Sequence, residues 1–560
     1  MSRQRLLAFG LAPGLLAALA SCSGVERFTD AEWRTVRSLA DLPDPPPDHS
    51  NKYLADPRVI ALGKQFYFDP AFSGLTSYID MLGRPSGIAR AAPGQEVGIS
   101  CNTCHDVARG GVDHTSAVDD VSIGAGAYDV SSQPTINAAY QQHVYWNGRA
   151  DSLWSQIVAV GESEVSMNGD RLKVAWRIAD AYRAAYTAGF PDWPLPDLMD
   201  SVAAQKARLA PDGTCLLDAG SCPASCVRAT ASAPCLPRFP LRGRPGYEGQ
   251  IGLVDDGTVH MCERGQPPSN PAAPPEPFDD AYDCMPAESQ LAVTRIYVNW
   301  AKAIAAYEYT LIGRNAPFDA WVAAGPDSDL IAPAAERGAR LFVGKAACVD
   351  CHNTPLFSDG KFHNIGIPQT GPFVPTPGDC PAGGWCDCVT DDTLQPANCL
   401  PDGVRDGLRK LQSGRFRRDS TYSDDGDCAA HQASHADPAY AAANPEQCDA
   451  HVASYSEILR RRAAGTLGDL AGKWRTPSLR DIAITAPYMH DGLFTTLGQV
   501  IGYYNAGGLA NDHPRDPEIA ALALTPDEID DLTAFLESLT SAPLPPEVVD
   551  PPTLPPASPF

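Results

Sequence analysis

Two short stretches constrain this chain more than anything else in it: Cys101-Asn102-Thr103-Cys104-His105 and Cys348-Val349-Asp350-Cys351-His352. In each, two thiols can add to the vinyl groups of a haem, and the histidine that follows can reach its iron, which is the c-type attachment pattern. A zinc half-site preceding a histidine is the competing reading of a single copy. Two copies in an exported chain argue against it, so two covalent c-type haems are the expected cofactors.

The reading of export rests on the first residues. Arg3 and Arg5 supply a positive start, and Leu6 to Ala20 an apolar run too short to span a bilayer. Leu19-Ala20-Ser21-Cys22 fits the bacterial lipobox, which would make Cys22 the lipidated first residue of the mature chain; an ordinary cleaved signal is the alternative. No later stretch is apolar enough to cross a membrane. The expectation is an exported, periplasm-facing lipoprotein held at the outer membrane by acyl chains alone. A net charge of -25 excludes nucleic acid and anionic headgroups as partners and would attract a basic redox protein.

Of 17 cysteines, twelve remain after Cys22 and the four haem cysteines. They fall into two sets of six: Cys215, Cys222, Cys226, Cys235, Cys262 and Cys284, then Cys380, Cys386, Cys388, Cys399, Cys428 and Cys448. Even sets in exported Pro/Gly/Asp-rich sequence read as disulfide staples of unassigned pairing, with zinc the alternative. The isolated His431, His435 and His451 read as loop residues.

Periodicity predicts helices over 58–69, 151–160, 171–188, 290–311, 334–342 and 496–504. A further helix is opened by the capping box Thr525-Pro526-Asp527-Glu528. No useful strand alternation occurs, so the fold class is mainly α: two cytochrome c-like haem domains with two disulfide-rich loop insertions. The expected boundaries are a signal and lipobox (1–22), a flexible spacer (23–57), an N-terminal haem domain (58–194), a Cys-rich insertion (195–289) and a helical connection (290–332). A C-terminal haem domain (333–540) carrying a second insertion (371–457) and a loose proline-rich tail (541–560) complete the chain.

Around the haem motifs, residues 58–69 (RVIALGKQFYFD), 99–111 (ISCNTCHDVARGG), 122–126 (SIGAG), 134–156 (PTINAAYQQHVYWNGRADSLWSQ), 336–352 (ERGARLFVGKAACVDCH), 473–498 (KWRTPSLRDIAITAPYMHDGLFTTLG) and 500–508 (VIGYYNAGG) resemble, in order, the signatures of the bacterial di-haem cytochrome c peroxidase superfamily, which includes the MauG-type enzymes. The resemblance implies a peroxide-reacting N-terminal haem and an electron-passing C-terminal haem, with His105 and His352 as proximal ligands. It also implies Trp146 as the inter-haem tryptophan, Gln156 as a distal-pocket residue, and a calcium ion between the haems near Thr485 and Pro487.

Several positions depart from the peroxidase pattern. Ala125 stands where a histidine would close the resting peroxidatic haem, and alanine cannot ligate iron. Tyr504 stands where a methionine would cap the second haem, as in the MauG branch, with Tyr503 and Met489 as competing ligands; a phenolate oxygen favours ferric iron where a thioether favours ferrous. Ser166 falls on the catalytic glutamate, so either Glu164 swings into that proton-carrying role or peroxide reacts slowly, with Glu162 just upstream. Ser132 replaces the asparagine of the calcium set, and His490 either bonds a haem propionate or packs.

The resemblance thus implies a di-haem oxidoreductase using hydrogen peroxide as oxidant. Its electrons would come from a small cytochrome or cupredoxin, or from a protein substrate oxidised through the second haem. The alternative is a lipid-anchored electron-transfer cytochrome without turnover.

Overall fold

The computed structural model describes residues 27–557 apart from 82, 116–120, 211–213, 229–234, 246–280, 283–284, 369–370, 372, 375–402, 426–463, 465 and 510–514. The signal, Cys22, the second set of six cysteines and His431, His435 and His451 therefore lie outside the described residues, as do Cys262 and Cys284.

Residues expected to be a flexible spacer instead form α1 (Asp30–Ser38), opened by a capping box between Thr29 and Glu32. The chain then enters α2 (Pro57–Phe68), capped by Asp56 with proline at its first position. The short α3 (Cys101–Cys104) carries the first thiol pair. Next come α4 (Leu153–Glu162), capped by Ser152, and α5 (Arg171–Arg177), capped by Asp170; a π turn over Ile178–Tyr182 leads into α6 (Arg183–Gly189). After α7 (Val202–Ala207), the antiparallel pair β1 (Cys226–Val227) and β2 (Leu236–Pro237) is stapled by disulfides Cys215–Cys226 and Cys222–Cys235.

The long α8 (Ala287–Glu308) is buried on nearly every face, and α2, α4 and α5 pack around it. Close approach is what Gly63 permits: a Cβ there would lie 1.8 Å from the Ala303 carbonyl oxygen. Around α8 the aromatic residues Phe66, Phe72, Trp154, Trp176, Tyr297 and Trp300 build one apolar cluster. The Cys-rich insertion is not merely stapled, since Met199, Val202 and Phe239 also enter this cluster.

A second cluster forms where α9 (Pro317–Ala324), α10 (Pro333–Val343) and a later C-terminal helix meet, joining Phe318, Trp321, Phe342, Phe357 and Phe535. The loop after α10 holds the second thiol pair and leads to β3 (Phe362–His363). The insertion expected to be loop contains α11 (Val404–Ser413), whose Val404, Leu408 and Leu411 form a small core with Leu470. It docks on the first cluster through Phe416 and Tyr422, and Lys302 of α8 donates to Asp424 at 2.7 Å. β4 (Trp474–Arg475) pairs antiparallel with β3. After α12 (Leu497–Asn505), α13 (Pro526–Glu537) opens on the expected Thr525–Glu528 capping box. It crosses α10 at Gly338, where a Cβ would meet the Asp531 carbonyl at 2.0 Å.

Both ends of the described chain are held. Phe28 and Trp33 pack on Trp321 of the second cluster. The tail, expected to be loose, forms α14 (Pro546–Val549) and lies along the first cluster: Tyr307 donates to the Val548 carbonyl at 2.9 Å, and Arg177 to the Pro556 and Pro555 carbonyls at 2.6 and 3.1 Å. Each terminal segment thus straps the body built mainly from the other end of the chain.

Candidate functional site

The two motifs offer matching donor sets. Cys101, Cys104, Cys348 and Cys351 carry free, partly buried thiols, while the other described cysteines are disulfide-bonded. The His105 imidazole points its Nδ1 at the Gly111 carbonyl, 3.2 Å away, and His352 points its Nδ1 at the Phe357 carbonyl, 2.7 Å away. A carbonyl at Nδ1 selects the tautomer that leaves Nε2 as a lone-pair donor. Burial lowers both histidines' proton affinity, keeping them in the neutral form that binds metal. Paired free thiols beside a neutral, oriented imidazole fit a covalent c-type haem at each place.

Around the first site, Tyr67 donates to the His105 carbonyl at 2.7 Å. Arg90 holds Asp113 at 2.6 Å, touches Cys104 Sγ at 3.9 Å and donates to the Ile123 carbonyl, so 122–125 runs beside the Cys104 thiol. Ala125, on that run, is fully buried, and its N–H donates to the Ser166 carbonyl at 2.7 Å. The Tyr128 and Ser166 hydroxyls share a 2.5 Å hydrogen bond. Tyr145 donates to the Gln156 carbonyl at 3.3 Å, and the Arg149 guanidinium covers its ring at 3.5 Å. The structure thus gathers Ala125, Ser166 and Gln156 with two tyrosines, Tyr128 and Tyr145, that local pattern could not single out.

The two glutamates near Ser166 differ sharply. Glu162 is 1% exposed and is gripped by Arg171, Oε1 accepting at 2.9 Å and Oε2 at 2.8 Å. Glu164 keeps 28% of its side chain exposed and meets Arg244 at a looser 3.3 Å. Arg244 comes from the Cys-rich insertion and also donates to the Glu162 carbonyl at 2.8 Å and Asn168 Oδ1 at 3.0 Å, bracing the loop that carries Ser166. No sequence signal linked Arg244 to this loop, because they lie far apart along the chain.

At the second site, burial raises the Tyr504 phenol well above its ordinary range, and Cys348, Cys351 and Tyr503 push it the same way. Tyr504 therefore lies within electrostatic reach of the second motif. The Tyr503 hydroxyl is engaged elsewhere, donating to the Ile365 carbonyl at 2.8 Å and accepting from the Leu509 N–H at 3.1 Å. The Met489 carbonyl accepts from Ser131 Oγ at 3.0 Å.

Trp146 Nε1 donates to the Ser131 carbonyl at 3.0 Å, and its own carbonyl accepts from the Arg475 N–H at 2.9 Å. Its ring lies edge-on to His490 at 6.4 Å, and His490 stacks on Trp474 at 4.0 Å. His490 is held neutral by burial, its proton affinity pushed down to about 3, and its Nε2 has no partner among the described residues. Thr485 donates to the Ile482 carbonyl at 3.2 Å, and Gly110, near His105, packs against Thr485. Ser132 Oγ accepts from the Asp113 N–H at 2.7 Å. Among the described residues no group of three or more His, Cys, Asp or Glu could hold a metal ion.

Two Cys-X-X-Cys-His sites in a mainly helical fold define a di-haem c-type protein. Residues 57–210 match the family described as di-haem cytochrome c peroxidase. Cytochrome-c peroxidase IdrP1 of Denitromonas iodatirespirans is 25% identical over 546 residues, covering 96% of this chain and 95% of that protein. Methylamine utilization protein MauG of Methylorubrum extorquens is 23% identical over 537 residues, covering 94% and 91%. The diheme peroxidase BthA from Burkholderia thailandensis aligns at 17% identity and a TM-score of 0.44, over 89% of this chain and 91% of that one. Residues 57–210 thus match the di-haem cytochrome c peroxidase family, and similarity to a cytochrome-c peroxidase and to MauG extends along most of the chain.

Proposed function

We propose that this protein is an exported di-haem oxidoreductase that reduces hydrogen peroxide at an open N-terminal site and draws the electrons through a capped C-terminal site. The observation that carries the reading is an asymmetry: buried Ala125, on the run that passes Cys104, can give the first site no second ligand, whereas Tyr504 is a buried phenol within electrostatic reach of the second motif. Bound haem supplies the redox-active iron. The chain's own residues attach it through Cys101, Cys104, Cys348 and Cys351, orient His105 and His352 toward it, and admit or exclude other ligands.

Peroxide reduction to two waters consumes two electrons and two protons, so a proton must be moved between peroxide oxygens. Glu162 is locked to Arg171 and cannot turn. That leaves Glu164, partly exposed beside Arg244, as the carboxylate to reach in, with the Tyr128–Ser166 hydroxyl pair and Gln156 ordering the polar wall. Trp146, whose indole and main chain are both hydrogen-bonded, would carry charge between the sites. Thr485 and Pro487 would contribute to a calcium site in the same region.

The donor is a small basic redox protein or a protein substrate, attracted by the net charge of -25. No helix among the described residues is long and apolar enough to cross a membrane. Export with acylation at Cys22 would hold the molecule at the outer membrane, with bodies at 58–194 and 333–540 joined by 290–332. Stopped-flow mixing with peroxide tests the reading: a rapid Soret change is expected, and its absence would leave an electron carrier.

A further inference from the structure

Arg475, on β4, has a side chain only 5% exposed. Its polar contacts are two main-chain carbonyls at the long limit of hydrogen bonding, Tyr145 O from Nε and Thr476 O from Nη1, both at 3.4 Å. Other arginines buried as deeply each hold a carboxylate: Arg171 has Glu162, Arg177 has Asp69 and Arg480 has Asp319. Among the described residues none pairs with Arg475, and burial alone pulls its proton affinity down to about 10. An enclosed guanidinium without a counter-charge is expensive to keep unless a ligand supplies one.

The position says which ligand. The Arg475 N–H donates to the Trp146 carbonyl. Thr476 accepts from Ser358 Oγ at 2.7 Å and donates to the Lys361 carbonyl at 2.9 Å, on the segment just beyond the Phe357 carbonyl that orients His352. Tyr145, the other neighbour, borders the Gln156 and Arg149 wall of the first site. The guanidinium therefore joins the Tyr145 segment to the strand that is hydrogen-bonded to Ser358 and Lys361, just beyond His352.

We propose that Arg475 is a carboxylate-binding residue whose partner is a propionate of one of the two haems, held by charge-assisted hydrogen bonds from its free N–H groups. The assignment rests on the reading that both motifs carry haem. It makes Arg475 a positioning residue that fixes the haem plane and, through its charge, raises that haem's potential by disfavouring ferric iron.

The test uses the full-length holoprotein and the variants Arg475→Gln and Arg475→Lys. Haem content by pyridine haemochrome, a spectroelectrochemical midpoint for each haem and the resonance Raman propionate bending bands are the readouts. In Arg475→Gln, one midpoint should fall while the other holds, and one propionate band should shift; Arg475→Lys should restore most of both. Should Arg475→Gln fail to fold, the same shift of one propionate band between the native protein and Arg475→Lys carries the test. Two loaded haems with unchanged midpoints and bands in the tested variant would overturn the proposal, whereas native protein lacking haem would overturn the reading beneath it. Titration with acetate separates the sources of carboxylate: a tethered propionate leaves native midpoints independent of acetate, and a saturable acetate shift would overturn the proposal in favour of a free anion.

Discussion

Glu162→Gln should destabilise the protein far more than its conservative look suggests. Glu162 Oε1 accepts from both the Arg171 N–H at 3.0 Å and Nε at 2.9 Å, and Oε2 accepts from Nη2 at 2.8 Å. Arg171 is itself fully buried, reaching Thr294 at 3.1 Å and lying over the Tyr282 ring at 5.1 Å. The amide keeps the volume but removes the negative charge, and its NH2 meets guanidinium donors head-on. Stranding a buried cation this way costs about 3–5 kcal/mol, against about 0–1 kcal/mol for an exposed pair. Urea unfolding of the holoprotein, followed by far-ultraviolet circular dichroism, reads the loss. The paired replacement Glu162→Met with Arg171→Met should recover much of it, because apolar side chains of similar volume need no counter-charge. A loss under about 1 kcal/mol for the single variant would refute the reasoning.

Three further outcomes follow from the same geometry. Glu164→Gln should slow the reaction with peroxide by roughly 10²-fold or more, since its partly exposed carboxylate is the proton carrier; rapid-mixing spectroscopy decides this, and an unchanged rate would remove Glu164 from the mechanism. Tyr504→Met should raise the midpoint potential of one haem and leave the other in place, measured by spectroelectrochemistry, because a thioether favours ferrous iron. Burial, against the pull of Asp424, lowers the Lys302 ammonium from 10.5 to about 8. The unfolded chain thus binds the extra proton between those values, so stability should rise with pH across about 8 to 10.5, by on the order of 3 kcal/mol; Lys302→Gln should flatten that slope.

What could be read from the sequence was what local pattern controls. The capping box at Thr525, the caps at Ser152 and Asp170, and the apolar periodicity of 290–311 all became helices because neighbouring residues decide them. The segment around Trp33 did not announce itself. Its helix is short and surrounded by polar and proline residues, and its burial comes from Trp321, far along the chain. The tail misled for a related reason: prolines near its end suggest looseness, yet their carbonyls accept from Arg177 on the other body. At the site, the thiols and histidines were legible because the chemistry needs them adjacent. The Tyr128–Ser166 bond, the Arg244 brace and the unpaired Arg475 were not, since each arises only when distant segments meet.

The most direct test of the account is the low-temperature EPR spectrum of the resting oxidised holoprotein, recorded before and after cyanide. An open first site and a Tyr504-capped second site predict one high-spin and one low-spin ferric haem in equal amounts, with cyanide converting only the high-spin signal. Two low-spin signals, both indifferent to cyanide, would contradict it.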